Sequence, residues 1–159
     1  SPRTDRGALG HFCSVFDLEG IAFTALQSVK GERVPIYHTN VMMSIGTKFV
    51  AICLDAIDDI EERQMVVDSL KEDGLRIIAL TEDQINHFAG NMLELQGSDG
   101  PIIAMSSAAF KALTDEQKNE LEPFGELVHV NLSTIEKCGG GSARCMIAEI
   151  HLPKEVATH

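Results

Sequence analysis

Two cysteines, an arginine and three glycines stand together in KCGGGSARCM, Lys137 to Met146. Groups of this kind support four chemistries: a metal clip, a disulfide loop, an anion cradle built from glycine amides, or one reactive thiol. The gap between Cys138 and Cys145 is wider than the C-x2–4-C spacing of structural zinc clips, and no second cysteine pair follows. A disulfide across so short a loop is geometrically feasible, but the reducing compartment expected below opposes a structural one. Cys138 to Arg144 spells C-x5-R, the spacing by which cysteine phosphatases wrap amides around a phosphate. Against that, CMIAEIHLP after Arg144 reads as a strand rather than a helix. No histidine stands immediately before Cys138, and Cys145 occupies the place of those enzymes' Ser or Thr. The Walker pattern fails for want of a lysine after the glycines. The remaining functional reading makes Cys145 a nucleophile beside Arg144, since a neighbouring cation raises the thiolate fraction of a cysteine. Its competitor makes Cys145 the first residue of a buried strand. Periodicity and spacing leave these two level.

The elements that must position this loop follow from the apolar pattern. NVMMSI and KFVAICLDAI, split at Gly46, read as two strands joined by a tight turn. DDIEERQMVVDSLKEDG is an amphipathic helix with acids at its start, apolar Ile60, Met65, Val66 and Leu70, and a stop at Gly74. LRIIAL is a buried strand closed by Thr81, which caps a short helix EDQINHF with a stop at Gly90. The order ββαβ then returns in NMLELQ, PIIAMSS, TDEQKNELEPFG and ELVHVNL. Asn40 and Asn91, Gly46 and Gly97, and Gly74 and Gly125 are each 51 residues apart, which marks an internal repeat. The units lie near 40–81 and 91–132. TDRGALGHFCSVF with IAFTAL reads as the helix and last strand of an earlier unit, and MIAEIHL as the start of a later one. The chain is thus expected to be a single partial domain over 1–159, an arc of a larger array.

Repeats around an axis place equivalent loops at one end. The loops after each unit's last strand are VPIYHTNVMM with His38 and Asn40, TEDQINHFAGN with Asn86, His87 and Asn91, and STIEKCGGGSARCM. The symmetry therefore predicts that His38 and Cys145 converge across 107 residues of chain. A cysteine and a histidine brought together by the fold are a nucleophile and its acid/base partner in outline.

Composition narrows the partners. The length allows one domain with a sizeable core. A formal charge of −11, from 24 acidic and 13 basic residues without a basic run, disfavours nucleic acid. No run approaches the roughly 20 apolar residues of a membrane span, and SPRTDRGALG lacks the apolar stretch of a secretory signal. A cytoplasmic location is expected, with no membrane partner. Cys13 and Cys53 lie in apolar patterns and read as small buried hydrophobes.

GGGSARCM resembles the catalytic-cysteine segment of the arginine deiminase and amidinotransferase superfamily, the penteins. YHTNVMM resembles the segment that carries their catalytic histidine. The resemblance covers nearly the whole chain and is strongest to the bacterial arginine deiminase-related group that includes citrulline hydrolases. It implies an α/β fan of five ββαβ units around a central polar site, of which this chain supplies about the C-terminal half. It further implies that Cys145 attacks the central carbon of a guanidino or ureido amino acid, and that His38 protonates the departing nitrogen and then activates water. Transfer of the same adduct to an amine would be amidinotransfer. Neither metal nor organic cofactor is implied.

Arginine deiminases carry an aspartate two residues after the histidine to hold the guanidinium, whereas this chain carries Asn40. An amide both donates and accepts, which matches a neutral ureido group and favours a citrulline-like substrate. The carboxylates that orient substrate and histidine in the family belong to the N-terminal half, and no segment here matches them. Gly141 and Asn91 are expected to line the substrate pocket, with Arg144 taking a substrate carboxylate or pairing with an acid. His129 reads as an ordinary strand residue. A cysteine phosphatase using Cys138 and Arg144, and a non-catalytic interaction domain, remain the alternative readings. An exposed sheet edge makes homo-oligomerisation an expectation.

Overall fold

A computed structural model describes residues 4–149 of the chain. Helix α1 (Arg6–Phe16) starts on Asp5, whose carboxylate accepts from the Ala8 amide at 2.8 Å, and ends at Asp17 in the left-handed region. It buries no residue, and Phe12 and Phe16 pair on its exposed face. The expected strand IAFTAL is displaced. Residues 21–25 run without strand pairing, and β1 (Leu26–Val29) instead folds back antiparallel on β2 (Glu32–Pro35). Lys30 and Gly31, with φ of 53° and 85°, form the two-residue turn whose twist matches such a hairpin.

Strand formation in NVMMSI begins later than the pattern predicts. His38 caps the short helix α2 (Thr39–Met42), and only then does β3 (Met43–Ile45) pair antiparallel with β4 (Phe49–Ile52). All four residues of β4 are buried, as a continuous apolar run requires when both faces of a strand are covered. The crossover helix α3 (Ile60–Glu72) is capped by Asp59, which accepts from the Glu61 and Glu62 amides at 2.9 and 3.0 Å. It presses Val66 and Leu70 inward, and Gly74 at φ 70° ends the crossover. Strand β5 (Arg76–Ala79) then returns parallel to β4.

Helix α4 (Glu82–Asn86) leads into the second copy, formed by β6 (Leu93–Gln96), β7 (Pro101–Ser106), α5 (Ser107–Ala112), α6 (Asp115–Leu121) and β8 (Glu126–Val130). Each copy is a three-stranded sheet with one antiparallel and one parallel pairing. The antiparallel register repeats residue for residue: Met43 faces Ile52, and Glu94 faces Ile103, each partner 51 positions on. The parallel register does not, because Phe49 pairs with Arg76, 27 residues on, while Ile102 pairs with Glu126, 24 residues on. The crossover of the second unit is shorter and broken into α5 and α6, a division the periodicity did not reveal.

The two units share one core, with Met42, Phe49, Ile52, Ile78, Met92, Ile103, Met105 and Leu121 in a single buried cluster. Phe49 and Phe124 meet across it with ring centroids 5.2 Å apart. Two capping boxes reinforce the join. Gln84, from the box of α4, donates to Gln117 Oε1 at 2.7 Å, and Gln117, from the box of α6, donates to the Ala79 carbonyl at 2.6 Å. Cys53 is buried as expected and burial pushes its thiol pKa up, whereas Cys13 is only half-buried. Among the described residues no helix is long and apolar enough to cross a membrane.

The segment STIEKCGGGSARCM is less loop-like than expected. Ser133–Gly139 form helix α7, which Gly140 closes at φ 69°, and Ala143–Met146 form a 3-10 turn. Met146 is therefore not the start of a strand, Ile147 to Glu149 are in no strand either, and residues 150–152 of MIAEIHL lie outside the described residues.

Candidate active site

The three junction segments meet at a cleft of about 510 Å³ bordered by Tyr37, His38, Asn40, Asn91, Gly141, Arg144 and Cys145. The convergence predicted for His38 and Cys145 is thus present in the fold, with Asn40, Asn91, Gly141 and Arg144 at the same cleft.

His38 reaches it from the start of α2. Its Nδ1 accepts from the Asn40 amide at 3.1 Å, so the proton of the neutral ring resides on Nε2. The chain before it is anchored by Arg33 on β2. That guanidinium forms ion pairs with Asp58 and Glu82 and also donates to the Asp55 carbonyl and the Ser28 hydroxyl, each at 3.1 Å. The hydrogen bond from Arg33 holds the Asp58 carboxyl below its ordinary pKa. Partial burial works to raise Glu82, but the hydrogen bonds from Arg33 and Ser28 outweigh it and leave that carboxyl lowered as well.

The middle junction supplies Asn91, only 4% exposed. The helix before it ends at Asn86, and Phe88, not Gly90, takes the left-handed conformation, at φ 67°. Gly90 serves another purpose: a Cβ there would lie 2.5 Å from the Val41 carbonyl oxygen, so only glycine lets α2 approach this closely. The approach brings the Asn91 side chain to both neighbours. Its Nδ2 donates to the Asn40 carbonyl at 3.1 Å and lies 3.2 Å from Cys145 Sγ, while Oδ1 accepts from the Arg144 amide at 3.1 Å.

Cys145 is exposed and sits in the 3-10 turn, its amide bonded to the Ser142 carbonyl at 3.0 Å. Ser142, the repeat equivalent of Asn40 and Asn91, is fully buried and donates to Glu136 at 2.7 Å. Gly141 passes so near that an added Cβ would be 3.3 Å from Sγ. Cys138, by contrast, lies near the C-terminal end of α7 and does not border the cleft. A helix C-terminus carries partial negative charge, the wrong sign for a phosphate. No α-helix begins at Arg144 to supply the opposite end. His87 faces a different cleft, where its Nδ1 is 2.8 Å from the Asp83 carbonyl oxygen. His129 stacks on Phe110 and meets Ser107 Oγ at 3.0 Å.

Gln27, Tyr37 and Phe88 also border the cleft and were not singled out in the sequence. The Lys-Gly turn between two short apolar runs was the signal for the hairpin that carries Gln27. Phe88 in a positive-φ conformation had no sequence signal.

The family model for eukaryotic N,N dimethylarginine dimethylhydrolase matches residues 1–152. No curated protein matches the chain. The fold is similar to that of ArgZ, described as an arginine dihydrolase from the ornithine-ammonia cycle in cyanobacteria, in its apo structure. The TM-score is 0.66 at 16% identity, over 94% of this chain and 21% of that one. The N-terminal domain of ArgZ bound to product gives a TM-score of 0.63 at 17% identity, over 90% of this chain and 46% of that one. AgrE, in a ternary complex with ornithine and NAD+, gives 0.63 at 16% identity, over 98% and 20%. The chain therefore spans between a fifth and a half of the length of the solved proteins it resembles.

Proposed function

The chain belongs to the N,N dimethylarginine dimethylhydrolase family, within the pentein superfamily, and from that premise we propose that it forms the nucleophile-bearing part of a hydrolase of guanidino or ureido C–N bonds. The observation that carries the reading is the cleft in which Cys145 and His38 meet, far apart in sequence and joined through Asn91.

In this mechanism the Cys145 thiolate adds to the central carbon of the substrate, forming a C–S bond. Imidazolium His38 protonates the departing nitrogen as the C–N bond breaks. Neutral His38 then takes a proton from water, the oxygen adds to the same carbon, and the C–S bond breaks to return the thiolate. An imidazolium carries a proton on both nitrogens, so the Asn40 amide must release Nδ1 for the ring to cycle. Arg144, which borders the cleft, holds the substrate's carboxylate. Asn40 borders the cleft where the family's arginine deiminases are expected to carry a carboxylate, and its amide favours a neutral ureido over a cationic guanidino substrate.

Cys145→Ala should abolish ammonia or amine release from arginine, methylated arginine and citrulline, a loss on the order of 10³-fold or more. Cys138→Ala should leave it nearly unchanged. Equal losses from both variants would sink the reading, and turnover of arginine far above that of citrulline would remove the role given to Asn40.

A further inference from the structure

A polar side chain as buried as Asn91 is expensive unless each of its groups is satisfied, and here each is satisfied by the two segments that carry the proposed chemistry. One N–H of the amide is used by the Asn40 carbonyl, one residue from the α2 start that holds His38. The other faces Cys145 Sγ at 3.2 Å. The amide cannot flip without breaking two bonds, because Oδ1 is held by the Arg144 amide while Nδ2 is held by Asn40. Its own backbone is fixed as well, through Gly90 pressed against Val41 and through the Asn91 amide bonded to the Phe88 carbonyl at 2.8 Å. Both N–H groups and the oxygen of the amide are thus engaged within the protein.

We propose that Asn91 is a positioning residue: its Nδ2–H is a preorganised donor to the Cys145 thiolate, and the same amide ties the nucleophile's segment to that of the acid/base. The inference rests on the reading of Cys145 as nucleophile. A donor already in place costs no reorganisation when negative charge develops on sulfur, and a hydrogen bond to a charged acceptor is roughly twice as strong as a neutral one. Oδ1, 3.7 Å from Sγ, faces the protonated thiol, so one amide accommodates both states.

The test compares the two exposed cysteines of one molecule. In the wild-type chain iodoacetamide should modify Cys145 well ahead of Cys138, read by peptide mass spectrometry. Asn91→Asp keeps an acceptor for the Arg144 amide but loses the donor, and Asn91→Leu loses both. Each should cut the Cys145-to-Cys138 rate ratio about 10-fold or more. In a Cys138→Ala chain, the Asn91 side-chain amide resonance should also shift when Cys145 is alkylated, a measurement that needs no folded Asn91 variant. A folded Asn91→Asp protein with a ratio within about two-fold of wild type, or an unmoved resonance, overturns the positioning role. A wild-type Cys145 no faster than Cys138 overturns the nucleophile assignment itself.

Discussion

The segments carrying His38 and Cys145 reach the same cleft by different means. His38 stands on framework: it caps α2, the backbone of α2 lies against Gly90, and the preceding hairpin is clasped by Arg33. Cys145 follows a helix end and three glycines, and its turn is held by side-chain bonds, Asn91 to the Arg144 amide and Ser142 to Glu136, with Ala143 buried beneath it. The first arrangement fixes a ring by backbone packing and resists small substitutions until one meets the backbone. The second holds a sulfur by a few polar contacts beside a glycine that keeps the space next to it open.

The sharpest break in this contrast concerns His38, which caps α2 and for which we propose the acid/base role. His38→Ala should cost about 10²- to 10⁴-fold in kcat by removing the acid/base and should also lower stability by about 1 kcal/mol by removing the cap. His38→Asn retains a capping side chain, so turnover should fall as far while thermal unfolding stays close to wild type. If both variants unfold alike, the cap seen at Asn40 is not part of what holds the segment.

A smaller effect is expected where the framework is overfilled. Gly90→Ala sets a Cβ 2.5 Å from the Val41 oxygen and should destabilise the chain by about 1–3 kcal/mol, measured by denaturant unfolding. Gly139→Ala, in the Cys145 segment, meets nothing within 4 Å and should stay within about 0.5 kcal/mol.

The Arg33 clasp gives the framework side a pH dependence. Folded Asp58 and Glu82 titrate below their ordinary values of 3.8 and 4.5, so the clasp contributes fully above those values and is lost as the pH falls through the lowered ones. Tyr37 is the chain's single tyrosine and there is no tryptophan, so its fluorescence reports this region alone. An acid transition in that signal should move to higher pH in Arg33→Gln. An unchanged transition would show that the clasp does not govern the hairpin.

A small effect is expected of Gly141→Ala, whose Cβ would sit 3.0 Å from Cys145 Cβ. The neighbour need give only a few tenths of an ångström, so alkylation of Cys145 should slow about three-fold with no change in melting temperature.

Much of this arrangement was legible because repetition is a strong signal. The 51-residue offset carries the antiparallel register of one unit onto the other, although the strands are shorter than the apolar runs, and it selected the junctions where His38, Asn91 and Cys145 lie. What escaped was local and context-driven. The α2 turn interrupts a run that looks like uninterrupted strand, since a histidine cap outweighs β propensity in four residues. Helix α5 was missed because SSAAFKA reads as the tail of the strand before it, whereas α6 starts at the Thr114 capping box of TDEQ as expected. Gly90 looked like a helix stop, and its requirement became visible only once another segment's carbonyl was seen pressed against it.

Asn40 and Asn91 occupy one position in a duplicated unit, yet the first contributes its carbonyl to the join and the second its side chain. Division of labour between copies has a consequence for descent. On the proposed roles, an exchange at the first position retunes the substrate, whereas one at the second uncouples the segments that carry His38 and Cys145. Sequence drift between the copies should therefore be uneven at this pair, with ancestry preserved at the inner site after it has faded at the outer one.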